Sequence, residues 1–148
     1  MLNSSRTTES PVLKLRRLAA MYFFVQAIAI AGWWAVLLVV PATRQNFLIQ
    51  GGSFAALGSF ALGDLGIIVL GSALVGARGG RGWAVYAAWL VSGALLYATC
   101  FVVAAAISGV SPLLGAALMI PASIASFTAS VILSRNAQVD TLSPGSST

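Results

Sequence analysis

Residues 53–77 read SFAALGSFALGDLGIIVLGSALVGA, and this apolar stretch decides the fold class. It exceeds the roughly 20 residues that a helix needs to cross the hydrocarbon core of a bilayer. Asp64, near its middle, is the only ionisable side chain within it. A charge at that depth costs about 2.5–3.5 kcal/mol on insertion scales. The stretch therefore predicts a transmembrane helix, and Asp64 is the first candidate for a functional residue.

Three further stretches of the same kind flank it, at 18–40, 83–107 and 112–134. The 148-residue chain is 59% hydrophobic and only 7% charged, a composition that excludes an ordinary water-soluble domain. Because the predicted connections are short, consecutive spans should lie side by side and run in opposite directions. The sequence predicts an all-α integral membrane protein, a bundle of four antiparallel transmembrane helices over residues 18–134.

The basic residues predict how this bundle is oriented. Positive charge near the ends of spans stays on the cytoplasmic side. Both termini are therefore expected in the cytoplasm, with a basic tail at 1–17 and a polar tail at 135–148, and the expected location is a bacterial cytoplasmic membrane. Charges confined to span ends also argue against a nucleic-acid partner and leave the lipid bilayer as the main one. All Lys and Arg except Arg44 fall on one side: Arg6, Lys14, Arg16, Arg17, Arg78, Arg81 and Arg135.

Depth along the spans suggests hydrogen-bond partners for Asp64. At 1.5 Å per residue, Asp64, Trp33 and Tyr97 all lie about 20–23 Å from the predicted cytoplasmic surface, and Ser123 lies about 16–17 Å from it. An indole N–H, a phenol and a serine hydroxyl are suitable donors to a buried carboxyl. The sequence predicts a midplane cluster of Asp64, Trp33, Tyr97 and Ser123, and Gln26 extends it towards the cytoplasm or bonds a neighbouring span.

The residue types available in the chain limit its chemistry. Histidine is absent and Cys100 is the only cysteine, so the common metal ligands and a thiol redox pair are missing. A carboxyl buried without a cation is disfavoured in its charged form, so we expect Asp64 to be protonated near neutral pH. Acid–base catalysis usually needs two or more polar groups that act together, and only one acid lies within the predicted spans. We expect neither an enzyme nor a bound metal or cofactor.

Small residues recur at helical spacing in three of the spans. Within lipid, such residues allow close approach of helix backbones. They predict packing faces at 84, 88 and 92 in the third span and at 122, 126, 130 and 134 in the fourth. The second span offers Gly52, Ala56, Ser59, Gly63, Gly66 and Ala73.

Two functions fit these observations. The first is a structural or accessory subunit that packs through the small-residue faces, as a homo-oligomer or within a larger membrane complex. The second is a small proton-coupled or cation-coupled transporter that uses Asp64. The first accounts for more of the sequence, and the second gives a better reason for an acid in the membrane.

Overall fold

A computed structural model describes residues 11–43, 54–78, 82–109 and 113–142, without the side chains of residues 54–57, 59 and 136–142. The basic residues Arg6, Arg44 and Arg81 lie outside the described residues. So do Gly52 and the side chains of Ala56 and Ser59 in the predicted face of the second span.

The described part of the chain is helical and contains no strand. Four segments are long and apolar enough to cross a membrane: Pro11–Val39, Phe60–Arg78, Gly82–Ile107 and Leu113–Arg135. They confirm the prediction of an all-helical chain with four such spans. The second span changes helix type in its middle, where a π-helical segment interrupts the α-helix. The elements are α1 (Pro11–Val39), α2 (Phe54–Gly63), π1 (Asp64–Val69), α3 (Leu70–Arg78), α4 (Gly82–Ile107) and α5 (Leu113–Leu142).

The first and last helices extend beyond the predicted spans. Helix α1 begins at Pro11 instead of residue 18, and α5 continues to Leu142 instead of residue 134. Proline suits the first turn of a helix because its missing N–H has no partner there in any case. The Leu, Lys and Arg residues that follow Pro11 are good helix formers. Helix α1 therefore includes Lys14, Arg16 and Arg17, which belong to the basic tail predicted from the sequence.

Each span packs against two others. Helix α1 contacts α5 and the π1–α3 part of the second span, and α4 contacts the same two neighbours. Phe23, Ile68, Val75, Val91, Leu95 and Leu133 form the buried apolar core together with Ala19, Ala88 and Ala129. Many larger apolar side chains point outward instead, among them Leu18, Ile28, Leu62, Leu90, Ile107 and Leu118. An apolar outer surface of this extent is suited to contact with lipid.

The small-residue face of the third span is buried as predicted, whereas that of the fourth is fully buried at its two middle members and partly buried at Ala122 and Ser134. Ala84, Ala88 and Ser92 are fully buried, as are Ser126 and Ser130 on the facing helix.

In the second span, the predicted face is wrong at Gly63 and Gly66. A Cβ added at Gly63 or Gly66 would meet nothing within 4 Å, whereas one added at Gly71 would collide with the Val91 side chain. At Gly76 it would lie 2.8–3.0 Å from Cβ and backbone atoms of Phe24. Because a π-helical turn contains more residues than an α-helical one, π1 rotates the residues before it relative to those after it. Spacing residues as in an uninterrupted α-helix therefore does not predict which residues of the second span pack against its neighbours.

Candidate functional site

Asp64 is the first residue of π1, and its side chain is half-buried. Short π-helical segments within α-helices are rare and occur frequently at functional sites. In the described residues, α2 makes only isolated contacts with the other spans, such as that of Phe60 with Phe101, whereas π1 packs against α1 and α4. Asp64 thus lies where the second span joins the rest of the protein.

The carboxyl of Asp64 accepts a hydrogen bond from Trp34, whose indole Nε1 lies 3.1 Å from Oδ2. The indole is buried and joins the first span to the second. The sequence had pointed to the preceding residue, Trp33, as the donor, whereas the described bond comes from Trp34. Consecutive helical residues point about 100° apart, and depth along the axis does not distinguish them. Trp33 lies on the outer side of α1, with 38% of its side chain exposed.

The structure does not bring the other two members of the predicted cluster to Asp64. Tyr97 points outward from α4, and 74% of its side chain is exposed. Ser123 is buried, but its hydroxyl lies 2.6 Å from that of Thr99 and thus joins α5 to α4. The described site therefore consists of Asp64 and Trp34.

Gln26 forms a second polar contact between the first two spans. Its Nε2 donates to Ser72 Oγ at 3.0 Å, and both side chains are buried. The Gln26 Oε1 is also buried and forms no hydrogen bond among the described groups. This contact lies two helical turns, about 12 Å, from the Trp34–Asp64 bond. The buried apolar side chain of Ile68 lies between them along the second span, so the two are separate polar layers.

The third and fourth spans are joined by hydroxyl groups. Ser92 Oγ lies 2.8 Å from Ser126 Oγ and 2.9 Å from Ser130 Oγ, and all three side chains are fully buried. Seven residues after Ser92, on the same face of α4, Thr99 bonds Ser123 and the carbonyl of Leu95. Thr99 is not among the residues predicted from the sequence, although its spacing of two turns from Ser92 was a signal for it.

Tyr22 connects the first span to the fourth. Its hydroxyl donates to the carbonyl of Ala122 at 2.7 Å, immediately after Pro121 in α5. Each span is therefore hydrogen-bonded through side chains to at least one neighbour.

These groups join neighbouring helices. In the described part of the chain, no three His, Cys, Asp or Glu side chains converge to form a metal site. Asp64 can accept or donate a hydrogen bond and can exchange a proton. Comparisons with protein-family models, with curated proteins and with solved structures found no match to this chain.

Proposed function

We propose that this membrane protein is a non-enzymatic structural or accessory subunit. The proposal rests on one observation: polar side chains inside the bundle form hydrogen bonds between helices. Ser92, Ser126 and Ser130 bond one another between two helices, and Thr99 bonds Ser123 in the same interface. Side chains that line a solute pathway need donors or acceptors that are free to bind the solute. These hydroxyls instead form hydrogen bonds with one another. The interior holds the helices together, and the lipid-facing surface is free to contact partners.

The proposed architecture is an antiparallel four-helix bundle. It is supported by pairs of contacting residues: as the residue number rises along one helix, the number of its partner falls along the other. In the first two spans they are Phe24 with Gly76, Gln26 with Ser72, and Trp34 with Asp64. In the last two they are Trp89 with Ser134, Ser92 with Ser130, and Thr99 with Ser123.

The proposed orientation places both termini in the cytoplasm of a bacterial cell. The basic residues of α1, together with Arg78 and Arg135, mark that side. A green fluorescent protein fused after Thr148 should fluoresce, because it folds in the cytoplasm, and alkaline phosphatase fused there should be inactive. Alkaline phosphatase fused after Asn46 should be active. The reverse pattern at the two positions would overturn the orientation.

One observation favours transport as the alternative function. Asp64 is an acid in the membrane that begins a π-helical segment, and both features are frequent at functional sites. As a transporter, the protein would exchange the proton of Asp64 for a cation on each cycle. As a structural subunit, it needs Asp64 only as a hydrogen-bond partner of Trp34.

Replacing Asp64 by Asn separates the two functions. Asn keeps an acceptor oxygen for the Trp34 indole and cannot release a proton, so stability should change by less than about 1 kcal/mol. The measurement is the decay of a pH gradient across proteoliposomes, read by an internal pH-sensitive dye with Na⁺ or K⁺ outside. We expect wild type and variant to leak protons equally. Cation-dependent decay in the wild type that disappears in an equally stable variant would establish transport and overturn the structural role.

A further inference from the structure

The outward face of α4 carries a seven-residue pattern. Its members occupy alternating steps of three and four residues, which is the spacing of a left-handed helix–helix seam. All lie opposite the buried face that includes Ala88, Val91 and Leu95. The exposed residues of this seam are Tyr86, Leu90, Gly93, Tyr97, Cys100, Ala104 and Ile107.

Tyr97 makes this face unlike the other lipid-facing surfaces. It lies within about 4 Å of the midpoint of α4 along the helix axis. Its exposed hydroxyl therefore projects into hydrocarbon, where water does not reach it. The exposed hydroxyl of Thr128 in α5 satisfies itself by donating to the carbonyl of Ile124 at 2.8 Å. A tyrosine hydroxyl lies too far from its own backbone for such a bond, and Tyr97 forms no hydrogen bond with the described residues. A second molecule can therefore supply its partner.

We propose that the α4 seam is the interface with a second copy of this protein. In a two-fold dimer, the same surface of both copies meets, so Tyr97 faces Tyr97 at the same depth. A phenol is both donor and acceptor, which makes this group complementary to itself. This inference rests on the proposed subunit role and on a single orientation in the membrane, which makes the paired α4 helices parallel.

The small residues of the seam allow the required approach. A Cβ added at Gly93 meets nothing within 4 Å, so the space over this glycine belongs to the outer surface. Cys100 and Ala104 continue the small surface along the same helix. Close backbone approach at small residues is the usual basis of helix association within lipid. Gly93 and Cys100 are seven residues apart, so each would face its own counterpart across the two-fold axis.

Cys100 supplies a direct test because it is the only cysteine in the chain. Native membranes are treated with copper phenanthroline, which removes two electrons and two protons from a pair of thiols to form a disulfide. We expect the disulfide-linked dimer to become the main species, and Cys100→Ser to abolish it. The matched control is Ile124→Cys in the Cys100→Ser background, since Ile124 is exposed at mid-membrane on α5.

Equal crosslinking through Cys100 and through the α5 control would overturn the proposed interface, because it would reflect random collisions. The proposed interface would also be overturned if Cys100 formed no crosslink although a lipid-soluble maleimide labels both Cys100 and the cysteine introduced by Ile124→Cys. That labelling shows insertion and exposure independently, so failure of the interface is distinguished from failure of the membrane fold.

Two substitutions on the seam complete the test. A Cβ added at Gly93 meets nothing within 4 Å, so Gly93→Leu should leave the monomer folded and eliminate the crosslink by filling the approach site. Tyr97→Phe should weaken dimerisation about threefold, the equivalent of the average 0.6 kcal/mol measured for a hydrogen bond between membrane helices. Dimerisation is read by fluorescence transfer between labelled copies diluted in liposomes. Unchanged dimerisation in Gly93→Leu would overturn the assignment of the face.

Discussion

Replacing Trp34 by alanine is expected to destabilise the protein more than any other single truncation in the first span. The indole is buried, and its Nε1 is the donor to Asp64. Removing a buried Trp from a water-soluble core costs about 3–5 kcal/mol. We expect about 2–3 kcal/mol here, because separated membrane helices expose the ring to lipid rather than water, and the loss is mainly packing and one hydrogen bond. The measurement is unfolding by sodium dodecyl sulfate in mixed micelles.

Trp33→Ala is the matched control, since the same residue type is removed one position away on the outer side of α1. Its effect should be clearly smaller. A Trp33→Ala loss equal to or larger than that of Trp34→Ala would mean that the first span presents a different face to the second.

Gly76→Ala is expected to push the first two spans apart. The added Cβ would lie 2.8 Å from the Phe24 Cβ and 2.9 Å from its backbone N. Backbone atoms cannot rotate away as a side-chain end can, so the helices themselves must move. Overpacking of this kind costs about 1–3 kcal/mol. The loss is measured by the same detergent unfolding, and Gln26 should lose its bond to Ser72 as the interface opens.

Gly32→Ala serves as the control for helix propensity. Its added Cβ meets nothing within 4 Å, and alanine favours the helix over glycine. The variant should be as stable as the wild type or slightly more so. If Gly76→Ala were equally well tolerated, the close approach of Phe24 to Gly76 would be wrong.

The sequence was sufficient to predict the spans because the hydrophobicity that identifies a span is a sum over consecutive residues. Long apolar stretches separated by short polar segments define four spans without any knowledge of contacts. The buried faces of α4 and α5 were also predictable. In these helices, which no π-helical segment interrupts, residues such as Ala88 and Ser92, or Ser126 and Ser130, repeat at four-residue steps and remain on one side.

The candidate site was less predictable because it depends on rotation about the helix axis. Depth placed Trp33, Trp34 and Tyr97 at nearly the same level as Asp64, but the described hydrogen bond comes from Trp34. In the second span, π1 changed the rotation, so the close-packed glycines are Gly71 and Gly76. A π-helical segment has no dependable sequence signal. The sequence alone did not indicate that one begins at Asp64.

Gln26 illustrates a polar group whose role the fold only partly explains. Its amide N–H bonds Ser72, whereas its buried carbonyl oxygen is unpaired among the described groups. An unpaired buried acceptor costs about 1–3 kcal/mol in water-soluble proteins. The Gln26–Ser72 contact therefore fixes the relative position of the first two spans at a cost in stability, as buried polar groups do in some coiled coils.

The subunit role is tested most directly by native mass spectrometry of the protein extracted together with its surrounding lipid by a membrane-solubilising polymer. The account predicts a species containing two or more copies of the 148-residue chain. One copy in a stable complex with other proteins would retain the subunit role and overturn the α4 interface. A species containing one copy and lipid alone would contradict the central claim.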